Sequence, residues 1–123
     1  MLFDTNALIE LIIASQKGEK VKELMQREEA SIAIVTLSEL TSWAKRVGLD
    51  SHEIVKETRE TAFVIPVNEE IAEFAGEIHF LNRKEIKDWG MVDSIIYATA
   101  LVNDLELVTG DSHFKNKPKV VFI

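Results

Sequence analysis

The sequence predicts an α/β fold in which a five-stranded parallel sheet is covered by helices on both faces. Two observations lead there. Five strand-like runs are separated, over most of the chain, by intervals holding one or two helices, as crossovers between parallel strands require. Two helical runs, "ALIELIIA" (7–14) and "VDSIIYATALV" (92–102), are apolar nearly all round, as expected of helices packed between a sheet and other elements.

Hydrophobic periodicity places each element in turn. "LFD" (2–4) reads as the first strand, and helices follow at Asn6 to Gln16 and Glu19 to Glu28, with Gly18 as the break. "SIAIV" (31–35) is the second strand. The helix after it, Leu37 to Val47, shows one apolar stripe of Leu37, Leu40, Ala44 and Val47 and stops at Gly48. A further helix, Ser51 to Thr61, leads to the third strand, "FVIPV" (63–67). Helices at Glu69 to Asn82 and Val92 to Asn103, broken at Gly90, precede the last strands, "LELVT" (105–109) and "KVVFI" (119–123).

At 123 residues with 46% hydrophobic content, the chain has the apolar surface for one core, and a single domain over 1–123 is expected. A net charge of -7 argues against a broad basic face of the kind that binds duplex DNA electrostatically. Cysteine is absent, so disulfides and thiolate metal sites are excluded, and a reducing compartment fits. The opening residues carry no basic segment before the apolar run and include Asp4 and Glu10, which makes a poor signal peptide. No apolar stretch approaches the roughly 20 residues of a membrane-spanning helix. The expected location is the cytoplasm, without membrane attachment.

In a parallel sheet the C-terminal strand ends share one edge, the following helices begin there, and ligands bind there. Asp4 ends the first strand, and Asp111 follows the fourth in "VTGDSHF". Glu39 lies about one turn into the helix after the second strand, and Asp93 is in the first turn of the helix leading to the fourth. All four acids therefore point to one rim. Singly, three have local explanations: Asp4 as a helix cap, Glu39 in the capping box "TLSE" (36–39), and Asp111 in a Gly-Asp-Ser turn. Asp93 would be costly in so apolar a helix unless paired or bound to a metal, its local role being a dipole interaction.

Together, the acids would repel by about 4 kcal/mol for a pair at 4 Å in an effective dielectric near 20. A hard divalent cation such as Mg²⁺ or Mn²⁺ removes that cost and can bind substrate phosphate as well. Glu10, Asp104, and Asp50 with Glu53 fall outside this geometry. Asp88 is a weaker candidate beside the Asp93 helix. His52, His79 and His113 lack paired ligand spacing, and His113, though near Asp111, reads as a surface or packing residue.

The segments "LFDTNALI", "SEL", "VDSIIYATAL" and "LVTGDSHF" resemble, in this order, the PIN-domain family and especially its VapC-type toxins. The resemblance implies a three-layer α/β/α fold with sheet order 3-2-1-4-5 and a metal-dependent ribonuclease using Mg²⁺ or Mn²⁺. Its acidic set would be Asp4, Glu39, Asp93 and Asp111, supported by Asn6 and Thr109 and less securely by Thr5 and Ser112. It also implies a homodimer and a cognate VapB-like antitoxin whose extended segment covers the groove. "RKEIK" (83–87) and "KNKPK" (115–119) are candidate basic flanks for RNA phosphates, with solvated surface charge an equal alternative.

Other classes fit less well. A receiver-like phosphoacceptor would place an acid at the end of the third strand, "FVIPV", which has none, and its lysine after a strand, whereas Lys117-Pro118 precedes one. A haloacid-dehalogenase-like phosphatase would need an acid where Asn6 stands. A non-toxin PIN-like module for RNA processing or binding is the alternative, and a catalytically silent one, keeping the fold for protein or RNA contacts, would have no need of the intact acidic set.

Overall fold

The computed structural model describes residues 1–123. In chain order the elements are β1 (Leu2–Phe3), α1 (Thr5–Ile12), α2 (Gln16–Arg27), β2 (Ser31–Ala33), α3 (Val35–Arg46), α4 (Ser51–Thr61) and β3 (Phe63–Ile65). They continue with α5 (Glu69–Asn82), α6 (Met91–Val102), β4 (Leu107–Thr109), a 3₁₀ turn (Ser112–Phe114) and β5 (Val120–Phe122). The sheet is parallel throughout, in the order β3-β2-β1-β4-β5. The α/β class agrees with the sequence reading, and the strand order with the one implied by the family resemblance.

Alternation along the strands builds the three layers, because successive side chains point to opposite faces. Leu2, Ala33 and Leu107 enter a core with Ile71 and Ala75 of α5 and Ile96 and Ala100 of α6. Their neighbours Phe3, Ile32 and Val108 enter a second core with Leu8 of α1, Val21 of α2 and Leu40 of α3. No helix is long and apolar enough to cross a membrane.

Helices α4 and α5 have the expected bounds, capped by Asp50 and Asn68. Elsewhere the strands are shorter than expected. The second ends at Ala33 because Ile34 already has helical dihedrals, although its amide still bonds Ile65 of β3. The third ends at Ile65, before Pro66, which has no N–H to continue a ladder. The fourth begins only at Leu107, since Asp104 turns through a positive φ and Leu105 bonds back to Ala100.

The break after α1 is also displaced. It falls at Ala14, whose φ is 54°, and Ser15 caps α2 by accepting from the Gly18 amide at 3.0 Å. Gly18 lies inside α2, where a Cβ would come within 2.2 Å of the Glu10 carbonyl oxygen. It permits a close helix contact and breaks nothing. Nor is α1 buried all round: Ala7 and Leu8 are enclosed, whereas Ile13 just beyond it is 55% exposed. Helix α6 does match its apolar reading, with Ile96 through Ala100 continuously buried.

One aromatic cluster fixes the segments that carry two of the acids. Trp89, just before α6, packs 4.8 Å from Phe114 in the 3₁₀ turn, and Tyr97 of α6 meets Phe114 edge-on. The Trp89 Nε1–H donates to Ser94 Oγ at 2.6 Å, and the Tyr97 hydroxyl donates to the Pro118 carbonyl at 2.6 Å.

Candidate metal centre

At the C-terminal edge of the sheet, Asp4, Thr5, Asn6, Ile9, Glu39, Asp93, Ile96 and Asp111 line an open cleft of about 220 Å³. The acids arrive on four different segments. Asp4 follows β1 and is only 5% exposed; one carboxylate oxygen accepts the Ala7 amide at 2.8 Å and so caps α1. Asp111 follows β4 and accepts the His113 amide at 2.9 Å. The local capping roles of these two coexist with their place in the cleft.

Glu39 departs from its local explanation. Ile34 occupies the N-cap of α3 with no side-chain cap, so the capping box does not form. The Glu39 carboxylate instead accepts the Thr5 hydroxyl at 2.5 Å, with Thr36 Oγ1 3.3 Å from the same hydroxyl. Asp93 lies in the first turn of α6, where the helix dipole favours a carboxylate.

The electrostatics reflect crowding of like charge in a partly dry site. Burial, reinforced by Asp111 and Asp93, pushes the Asp4 carboxyl up to about 7 against hydrogen bonding from Thr109 and the Ala7 amide. Asp93 is raised by burial and then by Asp111 and Glu39, with the Gly90 amide and His113 opposing. Donor atoms of Asp93, Asp111 and His113 lie within 4.8 Å of one another. That is close to the span of opposite ligands around one cation with bonds of about 2.0–2.4 Å. An oxygen-rich, mutually repelling donor set of this size fits a divalent ion. Asp4 and Glu39 face the same cleft but stand outside the tight trio.

The supporting residues divide. Thr5 orients Glu39, and the Asn6 side-chain oxygen accepts the Gly110 amide at 3.1 Å, tying the start of α1 to the loop after β4. Thr109 accepts the Asp111 amide at 3.0 Å and stabilises the Asp4 carboxylate from beneath the cleft. Ser112 is exposed and lines no part of it.

His113 joins the site although its spacing marks it as a surface or packing residue. Its Nε2 sits 3.1 Å from Asp88 and its Nδ1 3.4 Å from Asp111. The clue in sequence is its position two residues after Asp111; the packing of Trp89 on Phe114 that brings Asp88 alongside is tertiary. Of the basic flanks, Lys119 pairs with Asp104 at the opposite edge, while Lys84 and Lys117 stack over Phe80 and Trp89.

The PIN domain profile matches residues 1–120. No curated protein sequence matches the chain. Among solved structures, a chain of a toxin–antitoxin complex from Klebsiella pneumoniae is 28% identical with a TM-score of 0.75, the match covering 98% of this chain and 94% of that one. VapBC-1 from nontypeable Haemophilus influenzae aligns at 23% identity and TM-score 0.74, over 99% of this chain and 95% of the other. VapBC2 from Rickettsia felis, bound to a DNA fragment from its promoter, shares the fold at 16% identity and TM-score 0.75, with 99% and 96% covered. Since the profile spans nearly the whole length and the strand order agrees with it, this chain belongs to the PIN domain family.

Proposed function

We propose that this chain is a divalent-metal-dependent endoribonuclease, the toxin of a VapBC-type toxin–antitoxin pair, with residues 1–123 acting as one nuclease domain. The observation that carries the reading is the convergence of Asp4, Glu39, Asp93 and Asp111 on one cleft at the ligand-binding edge of the sheet. The likeness to chains of toxin–antitoxin complexes supports the toxin assignment.

In this reading the four acids hold Mg²⁺ or Mn²⁺. When bound, such an ion neutralises charge on phosphoryl oxygens and makes water a better nucleophile. The chain's own residues supply order. Thr5 fixes the Glu39 carboxylate, the Ala7 amide and Thr109 fix Asp4, and Asn6 holds the Gly110 loop so that Asp111 faces the cleft. Hydrolysis of an RNA phosphodiester then requires that the strand approach a cleft lined by carboxylates, so substrate binding is gated by the cation. The same reading carries a homodimer, a cytoplasmic location and a VapB-like antitoxin as partner.

Purified protein is expected to cleave RNA with Mg²⁺ or Mn²⁺ and to stop in excess EDTA. Asp93→Asn should lower the rate on the order of a hundredfold or more while leaving the circular dichroism spectrum unchanged. Undiminished cleavage in EDTA would overturn the nuclease reading. Growth arrest on expression, relieved by the product of the adjacent gene, tests the toxin assignment.

A further inference from the structure

We propose that His113 is a cation ligand in this site, held in place by Asp88, and that it makes the centre prefer a first-row transition ion such as Mn²⁺ over Mg²⁺. The inference rests on the metal-centre reading above and adds a nitrogen donor to a set of carboxylates. Its geometric basis is the position of the imidazole between two carboxylates. Nε2 lies 3.1 Å from Asp88 Oδ1, while Nδ1 turns inward to 3.4 Å from Asp111 Oδ1.

Metal-binding histidines commonly have this arrangement, one ring nitrogen on the ion and the other steadied by a carboxylate. Adjacent donors on one ion stand about 2.8–3.6 Å apart, from octahedral to tetrahedral geometry, when the bonds are about 2.0–2.2 Å. The Nδ1 to Asp111 separation belongs to that range, and Asp93 completes a trio of mutually close donors.

The fold holds the ring in this orientation. Phe114, the next residue, is buried against Trp89 and Tyr97, and Trp89 follows Asp88 directly. One aromatic contact therefore sets the backbone that carries both the imidazole and the exposed Asp88 carboxylate beside it. The His113 amide, bonded to Asp111, sets the start of the 3₁₀ turn from which the ring projects.

The chemical consequence is selectivity. Mg²⁺ strongly prefers oxygen and water, whereas imidazole suits later first-row ions and is accepted by Mn²⁺. His52 and His79 lie on α4 and α5, and His113 alone of the three histidines joins Asp93 and Asp111 in a close donor group, so a nitrogen signal from bound metal would come from His113.

The test is pulsed EPR of Mn²⁺ bound to the full chain, combined with calorimetric titration of Mn²⁺ and Mg²⁺. The unaltered protein should show ¹⁴N modulation from a directly bound imidazole. His113→Gln should lose it, with Mn²⁺ affinity falling about tenfold to a hundredfold and Mg²⁺ affinity changing less than about threefold. Asp88→Asn should retain the modulation while weakening Mn²⁺ binding about tenfold.

Bound Mn²⁺ without nitrogen modulation would overturn the proposal, as would an equal loss of both ions in His113→Gln. If RNA cleavage survives in that case, the nuclease reading stands without the histidine ligand. If neither ion binds, both readings are overturned.

Discussion

At the scale of single residues, the centre places function in opposition to stability. Asp4 has a carboxyl near 7 in the folded chain against 3.8 for the free side chain, with burial as the main cause. Below 3.8 both folded and unfolded chains carry the proton, so Asp4 adds no pH dependence. Between 3.8 and about 7 only the folded chain keeps it, so stability falls as pH rises through that window and stays reduced above it. Asp4→Asn should therefore stabilise the metal-free protein at pH 8 by up to about 4 kcal/mol and flatten the pH dependence of urea unfolding, while abolishing cleavage. Equal unfolding midpoints for both proteins across pH 4–8 would contradict this. Thr5 tests the complementary role of support. Thr5→Val keeps the side-chain shape but frees Glu39, and metal affinity should fall about tenfold, with Thr5→Ser restoring it.

At the scale of elements, two residues in the first helical pair answer opposite demands. Gly18 lets α2 approach the backbone of α1 so closely that any Cβ would overlap the Glu10 carbonyl. Gly18→Ala should cost about 3 kcal/mol in urea unfolding, because backbone on both sides must move. Ala14 has the reverse problem, since it holds a left-handed φ of 54° with a side chain present. Ala14→Gly should stabilise by up to about 1 kcal/mol, the strain relieved exceeding the added freedom of the unfolded chain. Gly110 couples an element boundary to the site. A Cβ there would stand 2.7 Å from Asn6 Oδ1, so Gly110→Ala should loosen the tie between α1 and the Asp111 loop and lower cleavage more than stability.

At the scale of the whole molecule, a chain of net charge -7 gathers four acids on one edge, and the proposed approach of RNA to that edge calls for a cation to offset their charge. Binding only to the folded state should raise stability by about 2.7 kcal/mol at a hundredfold excess over Kd. Melting curves with and without Mn²⁺ should then differ on the order of 10 °C. RNA affinity, measured on the unaltered chain with a non-cleavable RNA analogue, should rise with ionic strength without metal, as salt screens the carboxylate repulsion, and lose that rise when metal is bound.

The sequence by itself determined the α/β class, the helices α4 and α5 nearly to the residue, and the edge at which the acids gather. These follow from local rules: hydrophobic period marks an element, caps such as Asp50 and Asn68 mark its start, and parallel strands place their ends on one side. Tertiary structure decided what depends on contacts distant in sequence. Ile34 and Val35 look like strand but join a helix, and Gly18 looks like a break but serves a close approach to residue 10. Glu39 looks like a capping residue but bonds Thr5, 34 positions away. His113 resembles a packing residue until Trp89 and Phe114 set it between Asp88 and Asp111. Periodicity records which face of an element is apolar; it holds no record of which side chain from another element will meet it.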